Sequence, residues 1–395
     1  MSRIGSFVAL SGVVLASLLA GCSTEAGSEE SDERAPVDRC DQEGVTCQAY
    51  GRKNTANQPE AYEIGTGNGS ATSVTFKEIF KGPAGHQPVD LEFNPTRSQE
   101  LWVTNYASSS VTVITNPGAA GQKAKMVRDP AYGHFMNLPP ASAFGIESLS
   151  GYGQQWASCG DNDNGGNLFM GPTLYSSDER LMGKQTPEGR GAHLDMLHAT
   201  PYCRGIAWGG KKNVFYTFNA LNKSIEYYDF QTNHAPGDDD HSDGIIRRFW
   251  TNQIKGVDGL VSHLSYDTDT KKLYVADTGN KRILALDPTK GRRVAPMPGQ
   301  NEYVVARDLM EAPVEVVVPP GTVQAPSGIE ANGGLAFVTD AATSTIYAFK
   351  LKDGSLVRKL ETGLPPKSLA GLNFGPDGKI YFVDRLQNRV LRIDP

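Results

Sequence analysis

The sequence predicts an all-β chain in which one four-stranded unit recurs six times and closes into a ring. Three observations carry that reading: abundant turn residues, apolar segments of period two, and a phrase that returns along most of the chain. The 395 residues include 43 Gly and 24 Pro, about one residue in six against the roughly 12% of an average protein. At 39% hydrophobic, 9% aromatic and 21% charged, the chain still has enough apolar surface for a large core, which rules out disorder throughout and a helical bundle. Lys and Arg number 38 against 44 acidic residues, a net charge of −6. No basic domain is present to neutralise a phosphate backbone, so the composition argues against nucleic acid as a partner.

In chain order, residues 1–21 read as a secretory signal. One charge, Arg3, precedes an apolar run from Ile4 to Leu19 that is too short and too rich in small residues to span a bilayer. The run ends in Leu19-Ala20-Gly21-Cys22, which resembles the lipobox of bacterial lipoproteins. That resemblance implies cleavage before a lipidated Cys22 and a mature chain anchored to a membrane rather than spanning it. Serine directly after the cysteine resembles the outer-membrane sorting class, so the expected address is the bacterial cell envelope. Residues 22–71 read as the lipidated cysteine, an acidic solvated tether (Glu25, Glu29, Glu30, Asp32, Glu33, Asp38) and a short cysteine clasp. Apart from Cys22 four cysteines remain, Cys40, Cys47, Cys159 and Cys203. An even count in an exported chain favours disulfides. The short loop from Cys40 to Cys47 suggests a local pair, which leaves Cys159 with Cys203.

Residues 72–395 carry the repeat. An apolar strand, a polar turn, a second apolar strand ending in Asp or Asn, and a third strand make up the phrase. It is clearest from Ser262 to Asp267, Lys272 to Asp277 and Lys281 to Asp287. Further copies begin at Asp90, Gly205, Gly328 and Gly371, and a degenerate one runs from Ala143-Phe144 through Trp156 to Asn167-Leu168-Phe169-Met170. First-strand positions Phe93, Phe144, Trp208, Tyr266, Ala331 and Phe374 recur every 40 to 65 residues or so, which suits four-stranded blades of a β-propeller with long loops. The last copy stops after its third strand, and Ser73 to Phe80 alternates correctly to close it. The copies resemble NHL-type repeats of six-bladed propellers, most closely over Leu273-Tyr274-Val275-Ala276-Asp277-Thr278-Gly279-Asn280-Lys281-Arg282-Ile283.

First and second strands run antiparallel, so the loops leading into the copies share one face, and Cys159 falls beside Cys203. All seven histidines, His86, His134, His193, His198, His234, His241 and His263, read as lying in these incoming loops or opening a first strand. At the innermost position the ring reads Asp90, Ala141, Gly205, His263, Gly328, Gly371. Asp90 and His263 therefore face each other across the channel, with Asp90 the only acid there. The richest segment, His234-Ala235-Pro236-Gly237-Asp238-Asp239-Asp240-His241-Ser242-Asp243, reads as the loop leading to His263. Imidazoles and carboxylates together suit a divalent cation, zinc-like before calcium. The expected ligands are His86, His198, His241 and His263, with Asp90, Asp240, Asp243, His193 and His234 in supporting or ligand-binding roles. Asp161-Asn162-Asp163-Asn164-Gly165 opens like a calcium loop but has Pro172 where an EF-hand needs Glu, so it reads as a tight polar turn.

Among NHL-type propellers the copies look like peptidyl-hydroxyglycine amidating lyase, whose zinc is held by histidines opening inner strands of separate blades. His263 in His263-Leu264-Ser265-Tyr266-Asp267 matches that placement, and the other matching positions hold Asp90 or small residues. Two functions follow. One is a metal-dependent hydrolase or lyase acting at the loop face on a small molecule or peptide. The other is a non-catalytic lipoprotein platform that binds a protein, peptide or glycan.

Overall fold

The computed structural model describes residues 60–149, 151–299 and 303–395, all within the unit Asp38–Pro395. The signal segment, Cys22, Cys40 and Cys47 lie outside the described residues. Six sheets follow one another as the blades of a propeller. From inside outwards, blade one holds Pro88–Phe93, Glu100–Asn105, Ser110–Thr115 and Lys123–Val127. Blade two holds Ser142–Leu149, Gly153–Ser158, Thr173–Ser176 and the two-residue Asp195–Met196. Blade three begins with Cys203–Trp208, Val214–Asn219, Ser224–Asp229 and Ile245–Phe249, and blade four holds Leu264–Asp267, Lys272–Asp277, Arg282–Leu286 and Glu315–Val318. Blade five holds Pro326–Asn332, Leu335–Asp340, Thr345–Lys350 and Leu356–Glu361. In blade six, Leu369–Phe374, Ile380–Asp384 and Arg389–Asp394 are completed by Thr75–Lys81.

Blades stack face to face, so a strand is apolar on both sides and its alternate residues feed two different interfaces. In Lys272–Asp277, Leu273 and Val275 pack towards blade three with Leu284 and Leu286. Tyr274 and Ala276 pack towards blade five with Ile283 and Ala285. Burying one such Leu or Val side chain contributes about 1.5–3 kcal/mol. The ring closes as the alternation predicts: Thr75–Lys81 runs antiparallel to Arg389–Asp394, from Thr75 opposite Asp394 to Lys81 opposite Arg389, with an irregularity between Glu78 and Phe80.

Three features depart from the sequence reading. The third strand of blade two is Thr173–Ser176, and Asn167–Met170 lies in the loop before it. After the third strand of blade four the chain crosses to blade three, where Ala306–Glu311 pairs parallel to Ile245–Phe249 and Arg292–Pro296 adds a sixth strand. Residues 60–71, assigned to the tether, pack on the ring: Ala61 and Ile64 are buried among Leu335, Phe337 and Leu391, and Arg358 Nε donates to the Glu60 carbonyl (3.0 Å).

Cys159 and Cys203 are joined in a disulfide between blades two and three. The Asp161 turn also has a structural role. Its carboxylate pairs with the buried Arg204 guanidinium and accepts from the Tyr106 hydroxyl (2.8 Å). Among the described residues no helix is long and apolar enough to cross a membrane.

The closed channel and a candidate metal centre

The innermost ring explains its own small residues. A Cβ at Gly205 would lie 2.3 Å from the Ser262 carbonyl oxygen, and one at Gly328 2.2 Å from that of Ala370. At Gly371 it would meet Asp90 Oδ1 at 2.3 Å. Inner strands approach so closely that, of the six innermost positions, only Asp90 and His263 carry polar side chains. Rather than facing each other across an open pore, they meet, His263 Nδ1 lying 3.5 Å from Asp90 Oδ1. His263 Nε2 sits 3.0 Å from the Pro140 carbonyl oxygen, which can only accept, so Nε2 carries the proton and is committed to that bond. Asp90 Oδ2 accepts from Ser142 N (3.0 Å), and burial raises its pKa despite the opposing pull of His263.

Asp90 is not the only acid of the channel wall. Strand alternation turns Glu92, two residues on, and Glu330 of blade five to the same side. Glu92 accepts from Phe144 N (3.1 Å), and burial together with Asp90 pushes its pKa well up. Glu330 is pushed to about 8 by burial, against a hydrogen bond from Ser265 that lowers it.

The remaining histidines gather elsewhere. His234 and His241 belong not to a loop leading into blade four but to the connection between Ser224–Asp229 and Ile245–Phe249 of blade three. That connection reaches sideways onto blade two. His234 N donates to the Leu194 carbonyl (3.0 Å) and Gly237 N to that of His193 (2.9 Å). Gly237 has φ of 78°, and a Cβ there would lie 2.3 Å from Thr186 Oγ1, so the crossing requires glycine. On the blade-two side, Asp129 accepts from Ala131 N (2.6 Å) and Ala192 N (3.0 Å), which fixes the turn before His193. Burial raises Asp129 to about 6.

His193, His234 and His241 each offer one ligand atom within 4.8 Å of the others, an arrangement that could hold a metal ion. Each Nδ1 faces an acceptor: the Arg190 carbonyl for His193 (3.0 Å), the Ala235 carbonyl for His234 (2.6 Å) and Asp195 Oδ1 for His241 (2.8 Å). The two carbonyls can only accept, so at His193 and His234 Nδ1 donates and Nε2 is the lone-pair nitrogen of the ring; His241 Nδ1 lies between Asp195 Oδ1 and Met196 N, which donates to it (3.4 Å). Oxygens placed behind the rings in this way orient imidazole ligands of a metal. Burial lowers the pKa of His193 to about 3 and lowers that of His234 as well, holding both in the neutral state that binds cations. Asp195 is fully buried and raised by that burial to about 7, although His241 pulls it down.

A cavity of about 590 Å³ opens beside the cluster, lined by His134, Phe169, His198, Asp240 and Tyr303 among others. His198 stacks on Phe169 (3.5 Å between centroids) and stands edge-on to His241 (6.2 Å). Phe135 stacks on His193 (3.9 Å). Of the residues singled out from sequence, the structure thus brings His193, His198, His234, His241 and Asp240 together. His263 and Asp90 form the separate channel pair. His86 lies in the loop leading into blade one, its carbonyl accepting from Ala107 N (3.1 Å). Asp243 ties its own loop by accepting from Thr232 N (3.0 Å). Asp195 escaped the sequence reading, as did Glu92 and Glu330.

The architecture is that of a six-bladed β-propeller, here with an imidazole cluster at its rim. No protein-family model matches the sequence, and no curated protein does. Among solved structures the chain is similar to an auxiliary nutrient binding protein of Bacteroides thetaiotaomicron, at 11% identity and a TM-score of 0.51 over 78% of this chain and 69% of that one. It is also similar to an auxiliary nutrient binding protein of Bacteroides ovatus, at 12% identity and a TM-score of 0.50 over 82% and 74% of the two chains. At such identities the likeness is one of fold.

Proposed function

We propose that this is an exported, lipid-anchored propeller of the bacterial cell envelope whose rim binds one zinc-like divalent ion through His193, His234 and His241. The observation that carries the reading is the convergence of three imidazoles, each with a ligand atom within 4.8 Å of the others, two of them held at Nδ1 by the carbonyls of Arg190 and Ala235 and the third beside Asp195 Oδ1. Three nitrogen donors suit a borderline cation, whereas calcium takes oxygen ligands. A tetrahedral ion with bonds near 2.0–2.1 Å wants ligand nitrogens about 3.4 Å apart, which small rotations of these rings supply. When bound with an open position, such an ion acidifies a coordinated water or polarises a carbonyl. The chain's own residues shape what reaches it. His198 and Phe169 form one wall, Asp240 stands at the lip, and Arg190 is held by Asp239 (2.5 Å). This supports a metal-dependent hydrolase or lyase acting on a small molecule or peptide. The amidating-lyase ligand arrangement finds no support at the channel, where His263 Nε2 is committed to Pro140 and glycines occupy the matching positions.

The alternative is a binding platform for a peptide, protein or glycan. The stacked aromatic wall and Tyr303, 89% exposed, favour it.

Metal analysis of protein lacking residues 1–22, purified without chelators, separates the two. About one equivalent of a zinc-like ion should be present and should be lost in His193→Ala and His234→Ala. Less than about a tenth of an equivalent after metal resupply would leave the platform reading.

A further inference from the structure

We propose that the chain carries a second ligand site, for an acidic saccharide, in the cleft between blades three and four at the end of the ring opposite the incoming loops. The turn joining the first two strands of blade three and the corresponding turn of blade four flank a cavity of about 380 Å³. Its size lies at the lower end of the roughly 300–1,000 Å³ usual for small-molecule sites.

Its wall is aromatic. Tyr216 lies against Tyr227 (5.4 Å, 70°) and nearly parallel to Tyr266 (6.1 Å, 10°). Gly210, at φ of 77°, makes room for the Tyr266 ring, since a Cβ there would lie 2.4 Å from it. Around these rings stand Lys211, Lys271 and Arg247, the last 5.2 Å over Tyr227. Among the described residues no Asp or Glu lines the cleft, and none of the three cations pairs with a carboxylate. Two neighbouring acids are engaged elsewhere: Asp229 accepts from the Tyr227 hydroxyl (3.2 Å), and Asp287 accepts from Thr289 N (3.0 Å) and pairs with Lys290 (3.2 Å); Asp269, in the turn between Thr268 and Lys271, is exposed and does not line the cleft.

In a protein of net charge −6, three unpaired cations in one cleft select an anion. The flat rings select a planar or ring-shaped body. Hydroxyls decide between an aromatic acid and a sugar acid. Besides the tyrosines, Thr268 and Thr289 line the cleft, and Thr268 Oγ1 is buried without a hydrogen-bond partner. An aromatic body would leave Thr268 Oγ1 unpaired, whereas a polyhydroxylated ring satisfies it while its C–H face rests on tyrosine.

Calorimetric titration of the intact protein with glucuronate and digalacturonate, beside glucose and benzoate, tests this. At least one uronate should bind saturably and about tenfold more tightly than either control. Arg247→Gln should weaken that binding at least tenfold. The double variant Lys211→Ala/Lys271→Ala, at two exposed positions that leave the fold intact, should weaken it and flatten its salt dependence. His193→Ala should leave it unchanged, which separates this site from the rim cluster. Absence of saturable uronate binding, equal binding of benzoate, or unchanged affinity in the double variant would overturn the proposal.

Discussion

Asp195 is the residue on which the rim cluster most depends without itself being offered to a cation. It is fully buried, gives Oδ1 to His241, and its Oδ2 has no hydrogen-bond partner. Replacing it with Ala should remove the carboxylate that holds His241 Nδ1 and lower metal affinity by about 10- to 100-fold, read by competition with a chromophoric chelator, while far-ultraviolet circular dichroism stays unchanged. Glu330 gives a prediction with a defined pH window. Its folded pKa of about 8 exceeds the ordinary 4.5, so the protonated carboxyl stabilises the fold below about 4.5, and the contribution fades as pH rises through 8. Glu330→Gln, which mimics the protonated form, should therefore raise the melting temperature at pH 9 and leave it unchanged at pH 5. The sequence carried the signal for this residue and for Glu92, because alternation places both on the face of Asp90 and Gly328. The rim cluster was half legible. Its histidines and acid-rich segment stand out in the sequence, yet nothing in a repeat alignment says how far a loop reaches, and assigning residues 230–244 to the wrong blade joined His241 to His263.

Among elements, blade two is the one most in need of a staple. Its outer strand is two residues long, and the loop from Cys159 to Pro172 carries Phe169 against His198. The disulfide to Cys203 spans 44 residues, a loop whose closure is worth about 4 kcal/mol in the chain-entropy model. Cys159→Ala/Cys203→Ala should lower stability by up to that amount in denaturant titrations and weaken metal binding more than it disturbs blades five and six, which hydrogen exchange would resolve. Strands with β-branched and aromatic alternation were legible throughout. Two exceptions have physical causes. Asn167–Met170 mimics a strand by its apolar content although glycines precede it, and Arg292–Glu311 joins blade three through a parallel pairing that no local pattern encodes.

At the scale of the whole molecule, the ring stands on Thr75–Lys81. Protein lacking everything up to Lys81 should lose Ile79 and Phe76 from the last interfaces, expose the edge of Arg389–Asp394, and aggregate on expression; an equally soluble and stable truncate would refute that role. Anchoring is tested separately: Cys22→Ser should abolish partition into detergent while leaving the ring's melting temperature unchanged.

The closing pair also sets an order in time. Thr75–Lys81 finds its partner more than three hundred residues later, in Arg389–Asp394, and contacts across this seam, such as Gln87 N to Asn388 Oδ1, join residues 301 positions apart. Until Arg389–Asp394 has been synthesised, Thr75–Lys81 has no strand to pair with and the ring cannot settle. Losing Arg389–Asp394 to a premature stop or a protease would remove the mount for Thr75–Lys81 along with one strand of blade six. Closure thus acts as a check that Thr75–Lys81 and Arg389–Asp394 are both present.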